Sequence, residues 1–381
     1  MSLILDEHRE YLGDTHRLAA FSAAVAATVR PGAVVLDLGS GTGILSLLAC
    51  RAGAARVYAV EFDAIIGLTR DICRDNGFAD RVHFIHELST RAALPERVDV
   101  VLTDQIGRFG FDAGLLAYLP DARARMLRED GVTIPRRLDL WIAPVTCPDG
   151  WARAAFWRTH PCGFELGAAA RLARNTVYPV SLRSDQLLGA AQRLASVDPS
   201  VACDVIAGAV EMTIAAAGTL HGIGGWFSAE LAPGISMTND PLAPDRIARR
   251  QAWFPIDEPI DAKPGDRVRA TVHIRPLDMV VSWHVRVERP GGTRSPQLGD
   301  FRHSTFGGML MAPELLARTR PDAQPTLSPA GEARRSVLEL CDGGRTVAEI
   351  EAEVWRRHEP LFGSPDRAAA FVAEVITRYG R

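Results

Sequence analysis

The chain has 381 residues, 47% of them hydrophobic, and a formal net charge of -3 at pH 7. This length allows two or three domains with ample cores, and the lack of an overall basic charge disfavours a nucleic-acid partner. The opening residues MSLILDEHRE carry acids where an export signal needs basic residues, so we expect a cytoplasmic protein. The most apolar later stretch, Val205–Leu220, is interrupted by Glu211 and predicts a pair of buried strands or helices, so we expect no contact with a membrane.

The first recognisable elements are a helix and a glycine-rich loop. Asp14 is positioned to cap a helix that runs to Val29, and the stretch VVLDLGSGTGILSLLA at 34–49 has the pattern of a strand, a tight loop and a second helix. This pattern opens a doubly wound α/β sheet, and three classes of cofactor use it. A phosphate-binding P-loop is excluded, because Ile44 follows the last glycine where that loop requires lysine.

The glycine spacing and two acids distinguish between the remaining cofactors. A dinucleotide loop requires G-x-G-x-x-G and is disfavoured, because the spacing here is G-x-G-x-G. Asp37, two residues before the first glycine, would repel a pyrophosphate but suits a ligand with ammonium or sulfonium charge. Glu61 ends the next predicted strand, where its carboxylate can accept both hydroxyls of a ribose. These residues favour S-adenosylmethionine; the alternative is that both acids are solvated residues at strand ends.

The rest of the chain divides into further predicted domains. Strand and helix signals alternate up to Val145, which predicts an α/β domain over residues 1–145. Short β-like runs broken by Gly, Pro and Asp follow, and they predict an antiparallel barrel or sandwich over residues 146–300. Within them Ser184–Ala195 has helical spacing, and we predict a helix there that either packs as a crossover or projects to a partner subunit.

The last region, residues 322–381, predicts a small helical domain. Ser328 and Ser364 each precede a proline, and Thr346 with Glu349 forms a capping box, so three helix starts are expected. The glycine turn between the first two helices is typical of winged-helix and helix-turn-helix folds, but the glutamates of the second helix disfavour DNA. The six cysteines of the chain form no C-x-x-C pair, so no metal site is predicted.

Several of these segments resemble the protein arginine methyltransferases. LGDTHRLAAF at 12–21 resembles the family's L-x-D-x-x-R helix, residues 35–61 resemble its cofactor motifs, and GGWFSAEL at 224–231 resembles a segment of its barrel. The resemblance runs from about residue 10 to Val287. It implies a Rossmann-like domain that binds S-adenosylmethionine, a β-barrel domain with a helical dimerisation arm at about 164–200, and a homodimer. Residues 327–354 resemble the winged-helix modules that bind peptides in ribosomal-peptide and quinone-cofactor biosynthesis.

The resemblance also assigns cofactor contacts residue by residue. Arg17 would bind the methionine carboxylate, Glu61 would hold the ribose, and the family's adenine-contacting acid falls at Ser89–Thr90, so that contact is changed or made otherwise. The complete set of implied cofactor residues is Asp14, Arg17, Asp37, Gly39, Gly41, Gly43, Glu61, Ser89 and Thr90.

The acceptor side departs from the family. The loop TDQIGRFGFDAG at 103–114 aligns with the loop that carries two glutamates; the first becomes Asp104, and the second falls on Ala113 with Asp112 beside it, one position out of register. A guanidinium in a water-poor pocket needs paired carboxylates, so this change weakens a clamp for arginine. Asp104 and Asp112 are nevertheless the predicted catalytic residues, because either can bind an acceptor and relay its proton.

A second departure lies in the barrel. Ala248 stands where the family has a histidine, and Arg249 and Arg250 add positive charge to that loop. These arginines either face the acceptor, where they would repel an arginine and favour an anion, or face solvent.

The favoured function is therefore a methyltransferase with an altered acceptor site, which acts on an amino acid, a peptide or a related metabolite in a bacterial biosynthetic pathway. The alternatives are a protein arginine N-methyltransferase with shortened acids, and a non-catalytic regulator that binds peptide or DNA.

Overall fold

The computed structural model describes residues 4–291 and 296–380, and its N-terminal part is built on a five-stranded parallel sheet. The elements of this part are α1 (Ile4–Gly13), α2 (Thr15–Thr28), β1 (Val34–Leu38), α3 (Ile44–Arg51), β2 (Arg56–Glu61), α4 (Ile66–Asp75), β3 (Val82–His86), β4 (Val98–Leu102), α5 (Leu115–Arg125) and β5 (Leu127–Ile134). The strand order is β3-β2-β1-β4-β5, so the sheet switches direction between β1 and β4, where open α/β sheets bind ligands. The Rossmann-like fold predicted from the sequence is confirmed.

The next part consists of two antiparallel sheets. Its elements are β6 (Arg137–Val145), α6 (Pro148–Ala155), α7 (Gly167–Ala173), β7 (Tyr178–Val180), β8 (Gln192–Val197), β9 (Ile206–Thr213), β10 (Gly218–Ala232), β11 (Ile235–Thr238), β12 (Gln251–Ala262), β13 (Arg267–Arg275), β14 (Val280–Glu288) and β15 (Gln297–Ser304). One sheet has the order β7-β12-β10-β6-β8 with β11 beside β10, and the other has the order β15-β14-β13-β9. Buried and partly exposed residues alternate along β14, as expected for a strand with one face on the core. Large buried side chains such as Trp226, Phe227 and Phe254 belong to this region.

The predicted helix at Ser184–Ala195 is wrong. Ser184–Gln186 forms one short 3-10 turn, and Gln192 begins β8, which pairs with β6 in the antiparallel sheet. Pairing across the sheet overrides the local helical spacing, because it buries Leu194 in the core. The helices α6 and α7 lie earlier in the chain, so the helical segment is at 148–173 and only partly overlaps the arm expected at about 164–200.

The antiparallel part of the fold also begins earlier in the chain than the sequence predicts. The strand β6 was expected to end the first domain, but it pairs with β10 from Gly222 opposite Val145 to Glu230 opposite Arg137. The parallel sheet therefore ends with β5, and one hydrophobic core extends from residues of that sheet into those of the antiparallel sheets.

The C-terminal unit, Leu310–Arg381, has its own core. It contains α8 (Pro313–Arg318), α9 (Pro329–Leu340), α10 (Val347–Phe362) and α11 (Pro365–Tyr379). The three predicted helix starts are confirmed: Ser328 and Ser364 cap α9 and α11, and Thr346 forms the capping box of α10 with Glu349. No strand occurs in residues 310–380, so the wing of a winged helix is not confirmed.

Within the described ranges, no helix is long and apolar enough to cross a bilayer. In the same ranges, no group of three or more His, Cys, Asp and Glu side chains is placed to hold a metal ion.

Candidate functional site

The glycine loop lies between β1 and α3, at the carboxyl end of the central parallel strand. Gly39, Gly41 and Gly43 have φ angles of 74°, 52° and 80°, in the left-handed region that favours glycine. A Cβ on Gly39 would lie 2.3 Å from the side chain of Gln105, and one on Gly41 would lie 2.5 Å from that of His8. The loop therefore needs glycine both for its turn and for the close approach of neighbouring groups.

Glu61, at the end of β2, is fixed beside this loop. Its Oε2 accepts a hydrogen bond from the backbone N–H of Gly41 at 2.9 Å, and its Oε1 accepts from Asp63 N–H at 2.9 Å. A carboxylate has about four acceptor positions, so each oxygen can still accept a hydroxyl. This geometry fits the ribose-binding role predicted for Glu61.

Asp37 lies inside the fold beneath the loop, where it has no exposed surface. Its Oδ2 accepts a hydrogen bond from the Ser46 hydroxyl at 2.6 Å, and its Oδ1 is buried with no hydrogen-bond partner among the residues that the structure describes. Burial raises the pKa of Asp37 to about 6, and the hydrogen bond from Ser46 opposes this shift. The unpartnered oxygen is consistent with a cationic ligand above the loop, which this carboxylate would attract through its charge.

Asp14 joins the start of α2 to the loop between β11 and β12. Its Oδ1 accepts from the backbone N–H of Arg17 at 3.1 Å, which is the predicted helix cap, and its Oδ2 accepts from the backbone N–H of Ala248 at 2.7 Å. The residue that stands in place of the family's histidine thus contacts Asp14 through its backbone.

Asp104 follows β4 and is held by two arginines. Its Oδ2 accepts from Arg17 Nε at 2.5 Å and from Arg249 Nη2 at 3.1 Å. All three side chains are largely buried, with exposed fractions of 11% for Asp104, 7% for Arg17 and 12% for Arg249. Asp104 Oδ1 is buried and has no hydrogen-bond partner in residues 4–291 and 296–380. The group therefore carries one carboxylate and two guanidiniums, a net charge of +1.

Arg249 and its neighbour Arg250 have different surroundings. Arg249 also donates from Nη1 to the carbonyl of Gly107 at 3.3 Å, whereas Arg250 is exposed. Burial alone would lower the pKa of Arg249, but the charge of Asp104 and its hydrogen bond raise that pKa above its usual value. Of the two alternatives left open by the sequence, Arg250 faces solvent, whereas Arg249 contacts the loop at 103–114, which we call the acceptor loop after its predicted role.

Asp112, the other predicted catalytic residue, is bound within its own loop. Its Oδ1 accepts from the backbone N–H groups of Arg108 and Phe109 at 2.7 and 3.0 Å, and its Oδ2 accepts from Arg108 Nε at 2.7 Å. These bonds shape the loop after Asp104. Ala113, which stands at the position of the family's second glutamate, provides no acceptor.

Two residues of α1 were missed by the sequence reasoning. His8 lies against Gly41, and burial lowers its pKa while the nearby Glu61 charge opposes that effect. The ring of Tyr11 lies 5.4 Å from the Arg17 guanidinium carbon and 5.8 Å from that of Arg249, within the range of cation–π contacts. His8 and Tyr11 are three residues apart and so lie on one face of the helix, and this spacing is the sequence pattern that could have identified them.

Ser89 and Thr90, the predicted adenine-side residues, lie in the turn after β3. The backbone N–H of Glu87 donates to the carbonyl of Glu61 at 3.1 Å, so this turn begins beside the end of β2. The carbonyl of Ser89 accepts from Arg125 Nη2 at 2.7 Å, and Thr90 is exposed. Their contact with a cofactor remains a prediction.

The chain is similar to known methyltransferases. Residues 15–134 match the family model of ribosomal protein L11 methyltransferase (PrmA). The chain is 29% identical over 272 residues to an arginine N(omega)-methyltransferase of Streptomyces achromogenes subsp. streptozoticus, covering 68% of this chain and 73% of that protein. It is 27% identical over 288 residues to protein arginine N-methyltransferase 6 of Xenopus laevis, covering 71% and 84% of the two chains.

Solved structures show the same fold. The Trypanosoma brucei PRMT1 enzyme-prozyme heterotetrameric complex with AdoHcy matches with a TM-score of 0.69 at 22% identity, over 78% of this chain and 97% of that one. Arabidopsis thaliana protein arginine methyltransferase 10 matches with a TM-score of 0.67 at 22% identity, over 79% and 98%. Both matches cover about as much of this chain as precedes the C-terminal unit.

Proposed function

We propose that this class I methyltransferase, which is similar to the arginine methyltransferases and uses S-adenosylmethionine, does not act on protein arginine. Its acceptor is an amino acid, a peptide or a related metabolite of a bacterial biosynthetic pathway. The observation that carries this proposal is the pairing of Asp104 with the chain's own Arg249.

The charges around Asp104 oppose a guanidinium acceptor. An arginine substrate would have to displace Arg249 from Asp104, and it would find no second acid, because Ala113 stands in that position and Asp112 is bound to Arg108. With Arg17 assigned to the methionine carboxylate of the cofactor, Arg249 is the guanidinium at Asp104 that can meet the acceptor, and it favours an acceptor that brings a negative charge. Arg249 makes two hydrogen bonds within the protein and has further N–H donors for such a group.

The chain's residues then have separate roles in binding and transfer. Glu61, the glycine loop and Arg17 hold the cofactor, and Asp37 attracts its positive charge from beneath the loop. Bound S-adenosylmethionine supplies an activated methyl group, so the protein mainly has to hold a nucleophile in line with it and exclude water. Asp104 Oδ1, which is buried and has no hydrogen-bond partner among the described residues, would accept a hydrogen bond or a proton from the acceptor.

A second candidate, arginine methylation, is supported by the relatives, several of which are named arginine methyltransferases. In that case Arg249 would leave Asp104 when the substrate binds, and Asp104 would act alone as a shortened clamp.

Homodimerisation is part of the proposal. The helical segment at 148–173 exposes the aromatic side chains of Phe156, Trp157 and Phe164, which are 48%, 38% and 69% accessible. The rings of Phe156 and Trp157 pack edge to face with centroids 5.4 Å apart, and exposed aromatic side chains are typical of protein interfaces. Analytical ultracentrifugation tests this point: wild type is expected to sediment as a dimer, and substitution of Phe164 and Trp157 by serine to shift it to the monomer.

The test of the acceptor is a transfer assay with methyl-labelled S-adenosylmethionine. The purified protein is incubated with an arginine-rich peptide, with free arginine and with fractionated bacterial extract, and the labelled product is identified by mass spectrometry. Label in a peptide or small-molecule fraction, with none on either form of arginine, supports the proposal. Label on protein arginine or on free arginine establishes the second candidate instead, because both acceptors bring a guanidinium to Asp104.

A further inference from the structure

We infer that a cavity next to the acceptor loop binds an uncharged aromatic ring of the acceptor. The cavity has a volume of about 230 Å³ and lies between the loop at 108–112, the segment at 175–178, and strands β12 and β14. The inference rests on the proposed function, and it names the substrate class that this site would take.

The walls of the cavity are mostly apolar and well fixed. Phe109 packs edge-on against Phe254 with ring centroids 5.3 Å apart, and against Phe111 at 6.2 Å. Tyr178 and Val177 complete the apolar surface, and the Tyr178 hydroxyl donates to the carbonyl of Ala173 at 2.8 Å, so it is engaged outside the cavity. Rings held in edge-to-face contact form a rigid surface that suits another aromatic group.

The polar residues of the lining already have partners. Arg108 and Asp112 form an ion pair at 2.7 Å, so their charges compensate each other. Asn175 Oδ1 accepts from Ser304 N–H, and Thr305 Oγ1 accepts from Val281 N–H. A charged ligand would need an unpaired group of opposite sign, so the lining favours a neutral ring.

The volume limits the size of the ring. An apolar cavity of about 150 Å³ accepts a benzene molecule. The present cavity of about 230 Å³ is therefore large enough for a substituted phenyl or an indolyl group, and it lies below the range of about 300–1,000 Å³ for sites that enclose a whole drug-sized ligand.

The acceptor loop connects this cavity to the transfer site. Arg249 holds both Asp104 and the carbonyl of Gly107, and Asn239 Nδ2 donates to the carbonyl of Arg108 at 2.9 Å. Four residues span at most about 14 Å, which sets an upper limit on the distance between Asp104 and the cavity wall at Arg108. An extended acceptor of about dipeptide size with an aromatic side chain can bridge a distance of this order.

The test uses 5-fluoroindole as a probe and fluorine NMR to measure its binding to the full chain. Wild type is expected to bind it saturably, and Val177→Trp, which fills the cavity, is expected to weaken binding at least tenfold. Val205→Trp, at an exposed valine outside the lining, is the matched control and should bind as wild type does. Met279→Trp at the half-exposed rim is the second filling variant, in case Val177→Trp lowers the melting temperature strongly.

The transfer assay separates this inference from the proposed function. If the filling variants lose label in the peptide or small-molecule fraction but bind S-adenosylmethionine as wild type does, the inference holds, and the labelled fraction shows whether the ring belongs to a peptide or to a metabolite. If wild type binds no 5-fluoroindole, or if the filling variants methylate the native fraction at the wild-type rate, the inference is wrong. A third result is that wild type labels protein arginine while both filling variants lose 5-fluoroindole binding. In that case the proposed function is wrong, but the inference holds, and the cavity binds an aromatic ring in an arginine methyltransferase.

Discussion

Replacing Arg249 by alanine removes one of the two guanidiniums that hold Asp104. The Nη2–Oδ2 distance of 3.1 Å corresponds to an attraction of about 5 kcal/mol at an effective dielectric constant of about 20, before desolvation is subtracted. Arg17 stays 2.5 Å from the same oxygen, so the carboxylate keeps a partner in the variant. We therefore expect the free energy of unfolding to fall by about 1–2 kcal/mol, less than the roughly 3–5 kcal/mol for an orphaned buried charge.

The effect on transfer should be larger than the effect on stability. If Arg249 binds an anionic group of the acceptor, its loss removes a charge-assisted hydrogen bond worth about 1.5–3 kcal/mol, or about 10–150-fold in kcat/KM. The affinity for S-adenosylmethionine should change little. Removal of Arg249 should also free Asp104 for a guanidinium, so methylation of an arginine-rich peptide is expected to rise.

The assay compares Arg249→Ala with Arg250→Ala and Arg249→Lys. Each variant is incubated with labelled cofactor and the extract fraction that wild type labels, while calorimetry gives the cofactor affinity and thermal melting confirms the fold. Arg250→Ala should match wild type because its side chain is exposed, and Arg249→Lys should recover part of the activity. Wild-type kcat/KM in Arg249→Ala, with no gain on arginine, would refute an anion-binding role for this residue.

Three further outcomes are expected. Glu61→Ala should lower the affinity for S-adenosylmethionine at least 100-fold in calorimetry, because two acceptors for the ribose hydroxyls are lost. The control variant Glu96→Ala, at the surface, should keep the wild-type affinity. An unchanged affinity in Glu61→Ala would contradict the ribose assignment. Asp104→Asn should lower turnover by more than 100-fold and leave cofactor affinity within a few-fold, and full activity would place the acceptor elsewhere. The pKa of Asp37 is raised to about 6, so in the cofactor-free protein its carboxyl group is protonated and neutral below that pH. The affinity for the positively charged cofactor should therefore rise as the pH increases from 5 to 7 and the carboxylate forms. Asp37→Asn should remove this rise, and an equal slope in both proteins would show that another group titrates.

The parts of the fold that depend on neighbouring residues could be predicted from the sequence. The glycine loop, the Asp14 cap and the capping box at Thr346 each depend on side chains within a few positions of the backbone they stabilise. The sequence also placed the glycine loop beside Glu61, as the structure has them, because the two lie in consecutive elements of one parallel sheet.

The acceptor half depends on contacts between distant parts of the chain. Asp104 is 87 residues from Arg17 and 145 residues from Arg249, so no local pattern shows that one carboxylate holds both. The helix predicted at Ser184–Ala195 is wrong for a related reason. The local spacing of this segment is helical, but the position of its last part beside β6 makes that part a strand. Asp112 has the right residue type for catalysis, and only the structure shows that its oxygens are bound to its own loop.

The hydrogen bond from the Ala248 backbone to Asp14 has a consequence for how this site can change over evolution. Because the donor is a main-chain N–H, the link between the start of α2 and the loop between β11 and β12 is independent of the side chain at position 248. Nearly any residue can be exchanged there without separating the two elements, and only proline, which lacks the N–H, would break the link. A catalytic side chain can thus be lost from this loop while the architecture around the cofactor is inherited intact, which leaves the neighbouring position 249 open to selection for a new acceptor.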